Sequence, residues 1–172
     1  GKIWYDSRKR TWRKEVACVK WVNHEIVTGV ALYAVEGSLL IAAVGMAGAV
    51  IPDKLEGHPG AGSKSYWRWR SRHRGWSHWL ALYLLLAGLL WRWDPAIASA
   101  DSMTFDLAHL LFWLAVGAIL HVLEDGICGK IPILTPWGKH GLKLFAVGSV
   151  TEYLFAIALV LLCYFFGSVR AG

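Results

Sequence analysis

Cysteine is scarce in this chain. Cys18, Cys128 and Cys163 are its three thiols, an odd number with no CxxC pair. That excludes a disulfide framework and a Cys-rich zinc knuckle, leaving reduced, structural thiols. Sequence repeats and low-complexity tracts are also missing, and at 172 residues the length is that of one domain. Charge is almost absent from four blocks: Ala42–Ile51, Trp79–Trp91, Leu107–Leu123 and Tyr153–Phe166. With 56% hydrophobic residues and a mean hydropathy of +0.41, the chain is too apolar for an ordinary soluble fold of this size. Such blocks read as membrane-spanning helices, although a span takes about 20 residues and the shortest block must borrow from its flanks. Inside lipid every backbone N–H and C=O must be satisfied within the segment, which leaves helix as the state available to them. The first residue is Gly1 rather than Met, which leads us to expect a short leading segment ahead of it.

The charge that is present is basic and unevenly placed. Net charge is +6; seven of the 18 Lys and Arg precede residue 21, and six more lie between Lys54 and Arg74. In a soluble protein this balance would suggest nucleic acid. Beside apolar blocks it is instead the pattern of cytoplasmic loops flanking spans, so no nucleic-acid partner is expected. Eleven Trp agree, because an indole at the headgroup level buries its ring and keeps its N–H wet. The stretch Trp67-Arg68-Trp69-Arg70 is read as an interfacial anchor on the same grounds.

Residues 1–15 form a basic interfacial segment, and 16–172 a single membrane-embedded helical domain. A first helix is expected over Val16–Glu36, reversed by Gly37-Ser38 into a second over Leu39–Ile51 that Pro52 ends. Asp53–Trp76 follows as a long polar loop. A third helix, Ser77–Trp93, is closed by Asp94-Pro95. A fourth covers Phe105–Asp125, and after a second loop a fifth covers Val150–Gly167. The expected fold is an all-α polytopic bundle of about five transmembrane helices. The N-terminus and two long loops are cytoplasmic, because the opposite loops offer only Arg92 and Arg170.

This layout gathers the unusual residues at one level. His24 lies in the first helix, Asp53 ends the second, His73 and His78 flank the start of the third, and His121 and Asp125 end the fourth. Ionisable groups at membrane depth are costly unless they pair, bind an ion or line a wet cavity. His121 and Asp125, four apart, share a helix face. His73 and His78, five apart, would diverge on a regular helix, and Gly75 supplies a break that lets both approach. Imidazole with carboxylate and no thiolate suits a divalent metal, zinc first, with manganese or iron as alternatives. An ion there makes water nucleophilic at neutral pH and polarises a phosphoryl or carbonyl oxygen. His109 is about 18 Å along the helix from His121, too far to share one metal, and that spacing also disfavours haem.

The order Asn23-His24, IPD at Ile51–Asp53, HRGWSH at His73–His78, HVLED at His121–Asp125 and TPWG at Thr135–Gly138 resembles the LexA-regulated, membrane-bound metal-dependent hydrolases, the YdjM-like inner-membrane proteins. The resemblance runs from His24 to about Glu152, and its most specific element is the paired-histidine HRGWSH followed by a distant HxxxD. It implies that His24, Asp53, His73, His78, His121 and Asp125 are metal-binding or catalytic. The family often carries a second acid two residues after the aspartate matching Asp53. Leu55 stands there instead, so Glu56 is a candidate for that role and His58 for an outer ligand.

The expected function is a metal-dependent hydrolase of the bacterial inner membrane, acting at the cytoplasmic leaflet on a phosphoester or other anionic lipid-like substrate. His24, Asp53, His78, His121 and Asp125 are expected to hold the metal. His73 or Asp53 would move the proton, Asp125 would ligate or orient His121, Arg74 would hold a substrate anion, and Glu152 would stand behind the ligands. The phosphohistidine type of lipid phosphatase also ends in HxxxD, but it needs a Ser-Arg pair where Leu114-Ala115 stand. The alternative from another class is a non-catalytic binding or assembly protein with a structural metal.

Overall fold

The computed structural model describes residues 17–57, 68–69, 73–93, 107–144 and 149–171; the basic segment 1–15, His58 and Asp94-Pro95 lie outside them. The described chain is mostly helical, with five α-helices: α1 Ala17–Glu36, α2 Leu39–Glu56, α3 Leu80–Trp93, α4 Leu107–Cys128 and α5 Val150–Ala171. Of these, α4 and α5 are long and apolar enough to cross a membrane, while α3 is apolar but shorter.

Helices α1 and α2 form a tight hairpin. Gly37, at φ +69°, turns the chain, and the Ser38 hydroxyl caps α2 by accepting from the Ile41 N–H at 3.3 Å. Helix α2 does not stop at Pro52 as the sequence leads one to expect. It continues one more turn to Glu56, with Pro52 buried inside it and Gly57, at φ +66°, ending it. A proline in the last turn removes a single i→i−4 bond, to Gly48, and leaves the following turn free to form. Asp53 and Glu56 thereby become neighbours three apart on one helix face.

The centre of the molecule is the crossing of α2 and α4, built on glycine. A Cβ at Gly48 would fall 2.2 Å from the Leu114 carbonyl oxygen, and one at Gly117 only 2.0 Å from that of Gly45. Main chains this close need small residues, the packing device of helices in lipid. Leu32, Ile41 and Trp113 pack on one side of the crossing. On the other side Leu80 and Tyr83 of α3 meet Ala118 and Val122 of α4. Helix α5 lies outside this core against α1 and is largely uncovered by protein.

Three further expectations are corrected. The third helix begins at Leu80 and is preceded by a separate 3-10 turn, Trp76–His78, because Gly75 breaks the chain as its backbone freedom allows. Helix α4 runs past Asp125 to Cys128, since Gly126 tolerates the helix and Gly129 follows it. The second loop contains a small antiparallel hairpin, in which Ile131 pairs with His140 and Pro132 with Lys139.

Candidate metal centre

The polar ends of α2 and α4 and the 3-10 turn before α3 converge. His121 and Asp125 share the buried face of α4, at 1% and 4% exposure. His78 is sealed beneath them, its ring oriented by Ser77 of the same turn and by Glu56 at the end of α2. The Ser77 hydroxyl is 2.9 Å from His78 Nδ1, and Glu56 Oε1 is 3.2 Å from it. The other ring nitrogen, Nε2, points into the cluster. It lies 3.3 Å from Asp53 Oδ1, 3.3 Å from Asp125 Oδ2 and 3.4 Å from His121 Nε2. His121 Nε2 in turn lies 3.9 Å from both Asp53 Oδ1 and Asp125 Oδ2.

These edges test whether the donors suit an ion. Ligands about 2.0–2.1 Å from a tetrahedral zinc stand about 3.3 Å from one another, close to the three edges at His78. Among the described residues Asp53, His78 and His121 form a group that could hold a metal, one ligand atom from each lying within 4.8 Å of the others. His121 Nδ1 is buried without a hydrogen-bond partner among the described residues, so the ring's only engaged atom is the one facing the cluster. Electrostatics agree. Burial works against a positive charge on His78, but Asp125, Asp53 and Glu56 outweigh it and raise its pKa to about 10.

A family model described as YdjM inner membrane protein matches residues 21–171. The chain belongs to the YdjM inner membrane protein family. No curated protein and no solved structure matches it. As a member of this family it is an inner-membrane protein.

Around the triad of this YdjM-family protein the remaining residues take distinct places. Glu56 organises the HRGWSH turn: its Oε1 accepts from the Gly75 N–H at 2.9 Å and the Ser77 hydroxyl at 2.8 Å, and its Oε2 meets His73 Nδ1 at 2.6 Å. Its contact with His78 is to Nδ1, the atom turned away from the cluster, which puts Glu56 behind the triad. His73 is half-buried, 5.5 Å from the His78 ring between centroids, and stands beside the triad. Arg74, at φ +59°, reaches over Gly129 to Asp125, donating to Oδ1 at 2.6 Å and to the main-chain oxygen at 3.3 Å. A side chain at residue 129 would occupy the path of this guanidinium, since a Cβ there falls 2.0 Å from Arg74 Nη1.

His24 approaches from α1. Its ring lies 4.4 Å from that of His121 between centroids, with Nε2 3.6 Å from Asp125 Oδ1 and Nδ1 2.5 Å from Glu124 Oε2. Glu124 is the site residue that the sequence reading missed. The signal is available in the sequence: Glu124 lies three residues after His121 and one before Asp125, on the helix assigned to the site. Glu152 opens α5 away from the triad, accepts from Asn23 Nδ2 at 3.3 Å, and lines a small cavity with His24, Glu124 and Cys128. His109 is buried on the same helix as His121, remote from the cluster.

Proposed function

We propose that this inner-membrane protein is a metal-dependent hydrolase whose site opens at the cytoplasmic leaflet and accepts a phosphoester or other anionic lipid-like substrate. The observation that carries this reading is the convergence of His78 Nε2, His121 Nε2 and Asp53 Oδ1 at ligand spacing, with the other nitrogen of His78 held by Glu56 and Ser77. A divalent ion bound there supplies Lewis acidity and lowers the pKa of water. Zinc fits the donor set best, with manganese and iron as the other ions that nitrogen and oxygen donors accept.

The chain's own residues divide the remaining work. Glu56 fixes the His78 ring, and Glu124 fixes the His24 ring, as carboxylates behind ligating histidines do. Asp125, steadied by Arg74, stands 3.3 Å from His78 and completes the ring of donors. His73 engages Glu56 through Nδ1, which leaves Nε2 to exchange a proton. Asp53 is the most exposed of the donors, its side chain at 14%, and marks the side from which a substrate arrives. Arg74, held on Asp125 at 2.6 Å, brings a positive charge to the cluster. The basic loops support placing it toward the cytoplasm.

Complete burial of His78 favours one second reading, a structural metal in a non-catalytic membrane protein. Elemental analysis of protein purified without chelator, beside metal-dependent release of product from anionic phospholipids, separates the two. Stoichiometric metal with turnover that His78→Ala abolishes supports the enzyme. Stoichiometric metal without turnover on phospholipid, lipid-linked phosphate, ester or amide leaves the structural reading, and absence of metal at every loading condition rejects both.

A further inference from the structure

The hairpin after α4 carries a surface that the metal centre does not use. Its buried side is Ile131 and Pro132, which close the core beside Leu80 and Tyr83. Its other side holds Leu134 at 79% exposure and Trp137 at 83%, followed by Leu142 and Leu144, both well exposed. This outward display is held rigidly. Thr135 closes the turn by accepting from the Gly138 N–H through both its carbonyl and its hydroxyl, each at 3.2 Å. The Trp79 indole donates to the Leu134 carbonyl at 3.0 Å, and the Ala81 N–H to that of Ile133 at 3.2 Å. The Leu142 and Leu144 N–H groups donate back to Gly126 and Ile127 of α4, at 2.9 and 3.0 Å. Large apolar side chains pinned outward in this way would be a liability in water.

Position and charge identify what covers them. The hairpin leaves α4 at Cys128, the end of a helix long and apolar enough to span the bilayer, so it emerges at the membrane surface. Lys130, Lys139 and Lys143 surround the apolar tip, and no acidic residue occurs from Gly126 to Thr151. Indole, leucine and lysine without carboxylate is the composition of a segment lying among anionic headgroups. We propose that residues 131–144 form an interfacial hairpin that seats Leu134 and Trp137 in the anionic headgroup layer beside α4, with the exposed Lys130 and Lys143 on lipid phosphates. The hairpin also touches the metal-centre loop, because Lys139 Nζ donates to the His73 carbonyl at 2.9 Å. The depth at which it seats therefore fixes the level of that loop relative to the phosphates.

The test uses the whole protein with all three cysteines retained. Trp137 is replaced by the photoreactive p-benzoylphenylalanine, and the protein is placed in vesicles of phosphatidylglycerol and phosphatidylethanolamine. Irradiation is expected to give a phospholipid adduct mapped by mass spectrometry to position 137. Omitting phosphatidylglycerol, or combining Lys130→Glu with Lys143→Glu, should reduce the adduct, by up to roughly fivefold for each basic residue lost. The midpoint of thermal unfolding in detergent serves as the check that these variants fold. A crosslink to a second copy of the chain, or no lipid adduct in folded protein, overturns the proposal.

Discussion

Helices α4 and α5 are both 22 residues long and both apolar enough to cross a membrane, yet they do opposite jobs. In α4, 39% of the apolar window is buried within the protein; in α5 the figure is 6%. Hydropathy cannot separate them, because lipid and protein interior are equally apolar environments for a leucine. What separates them is the residues that are not apolar. Helix α4 interleaves Gly117, Ala115 and Ala118 for close approach with His121, Glu124 and Asp125 for the site, whereas α5 carries Glu152 at its start and, apart from Ala156 and Ala158, mainly bulky apolar residues from there to Phe166. Ionisable residues within the apolar stretch, and glycines against a neighbouring main chain, mark the helix that faces protein.

The sharpest test of that division is to remove a donor. His121→Ala on α4 should eliminate stoichiometric metal, since it takes one of three converging ligand atoms and leaves Asp53 and Asp125 beside an incomplete site. Inductively coupled plasma mass spectrometry of the purified variant reads this directly. Metal retained at the wild-type level would show that the triad is not the binding site.

Next in size is the helix crossing. Gly117→Val places a side chain where the Gly45 carbonyl oxygen already stands, 2.0 Å from the new Cβ, and main chain on both sides cannot yield cheaply. The expected loss is about 3 kcal/mol or more, the upper end for overpacking, read as a lowered midpoint of thermal unfolding in detergent. Gly88 on α3 supplies the contrast: a Cβ there meets nothing within 4 Å. Gly88→Ala should therefore be neutral or stabilising by up to about 1 kcal/mol, from helix propensity alone.

A smaller effect is expected behind the ligands. Glu124→Gln keeps the size of the side chain that holds His24 Nδ1 but removes its charge, and such partners are worth about 10–100-fold in metal affinity. Competition with a chelator of known strength would measure it. An unchanged affinity would make His24 and Glu124 a pair separate from the centre.

How much of this was legible in the sequence follows from the same contrast. The helices were, because uncharged blocks bounded by glycine and proline leave few other states, and so was the shared level of His24, Asp53, His78, His121 and Asp125. The end of α2 was not. Pro52 is a helix breaker by local rule, and only the contacts that its extra turn gives Asp53 and Glu56 explain why the helix continues past it. The company kept by Arg74 was not legible either. Its guanidinium sits on Asp125 because Gly129 clears a path, a relation between residues 55 apart that no spacing rule reaches. The assignment of Glu56 to the turn behind His78 likewise depends on which ring nitrogen it meets, which sequence does not record.

The smallest effect belongs to the outer helix. Leu161 of α5 is 61% exposed, so truncating it removes contacts made mainly with lipid rather than with protein. In a soluble core a Leu→Ala change costs about 2–5 kcal/mol, because a cavity opens and apolar area returns to water. Neither happens here: lipid fills the space, and the side chain meets the same hydrocarbon whether or not α5 packs on α1. Leu161→Ala should therefore shift stability by no more than about 0.5 kcal/mol, and leave metal content unchanged. Val122→Ala on α4 removes fewer carbons yet should cost more, because Val122 is fully buried among Leu80, Tyr83, Ala118 and Ile131. Unfolding midpoints of the two variants in the same detergent order them. If Leu161→Ala proves the more damaging, α5 is covered by protein in the membrane, and the partner surface would lie along its exposed residues Leu154, Leu161 and Phe165.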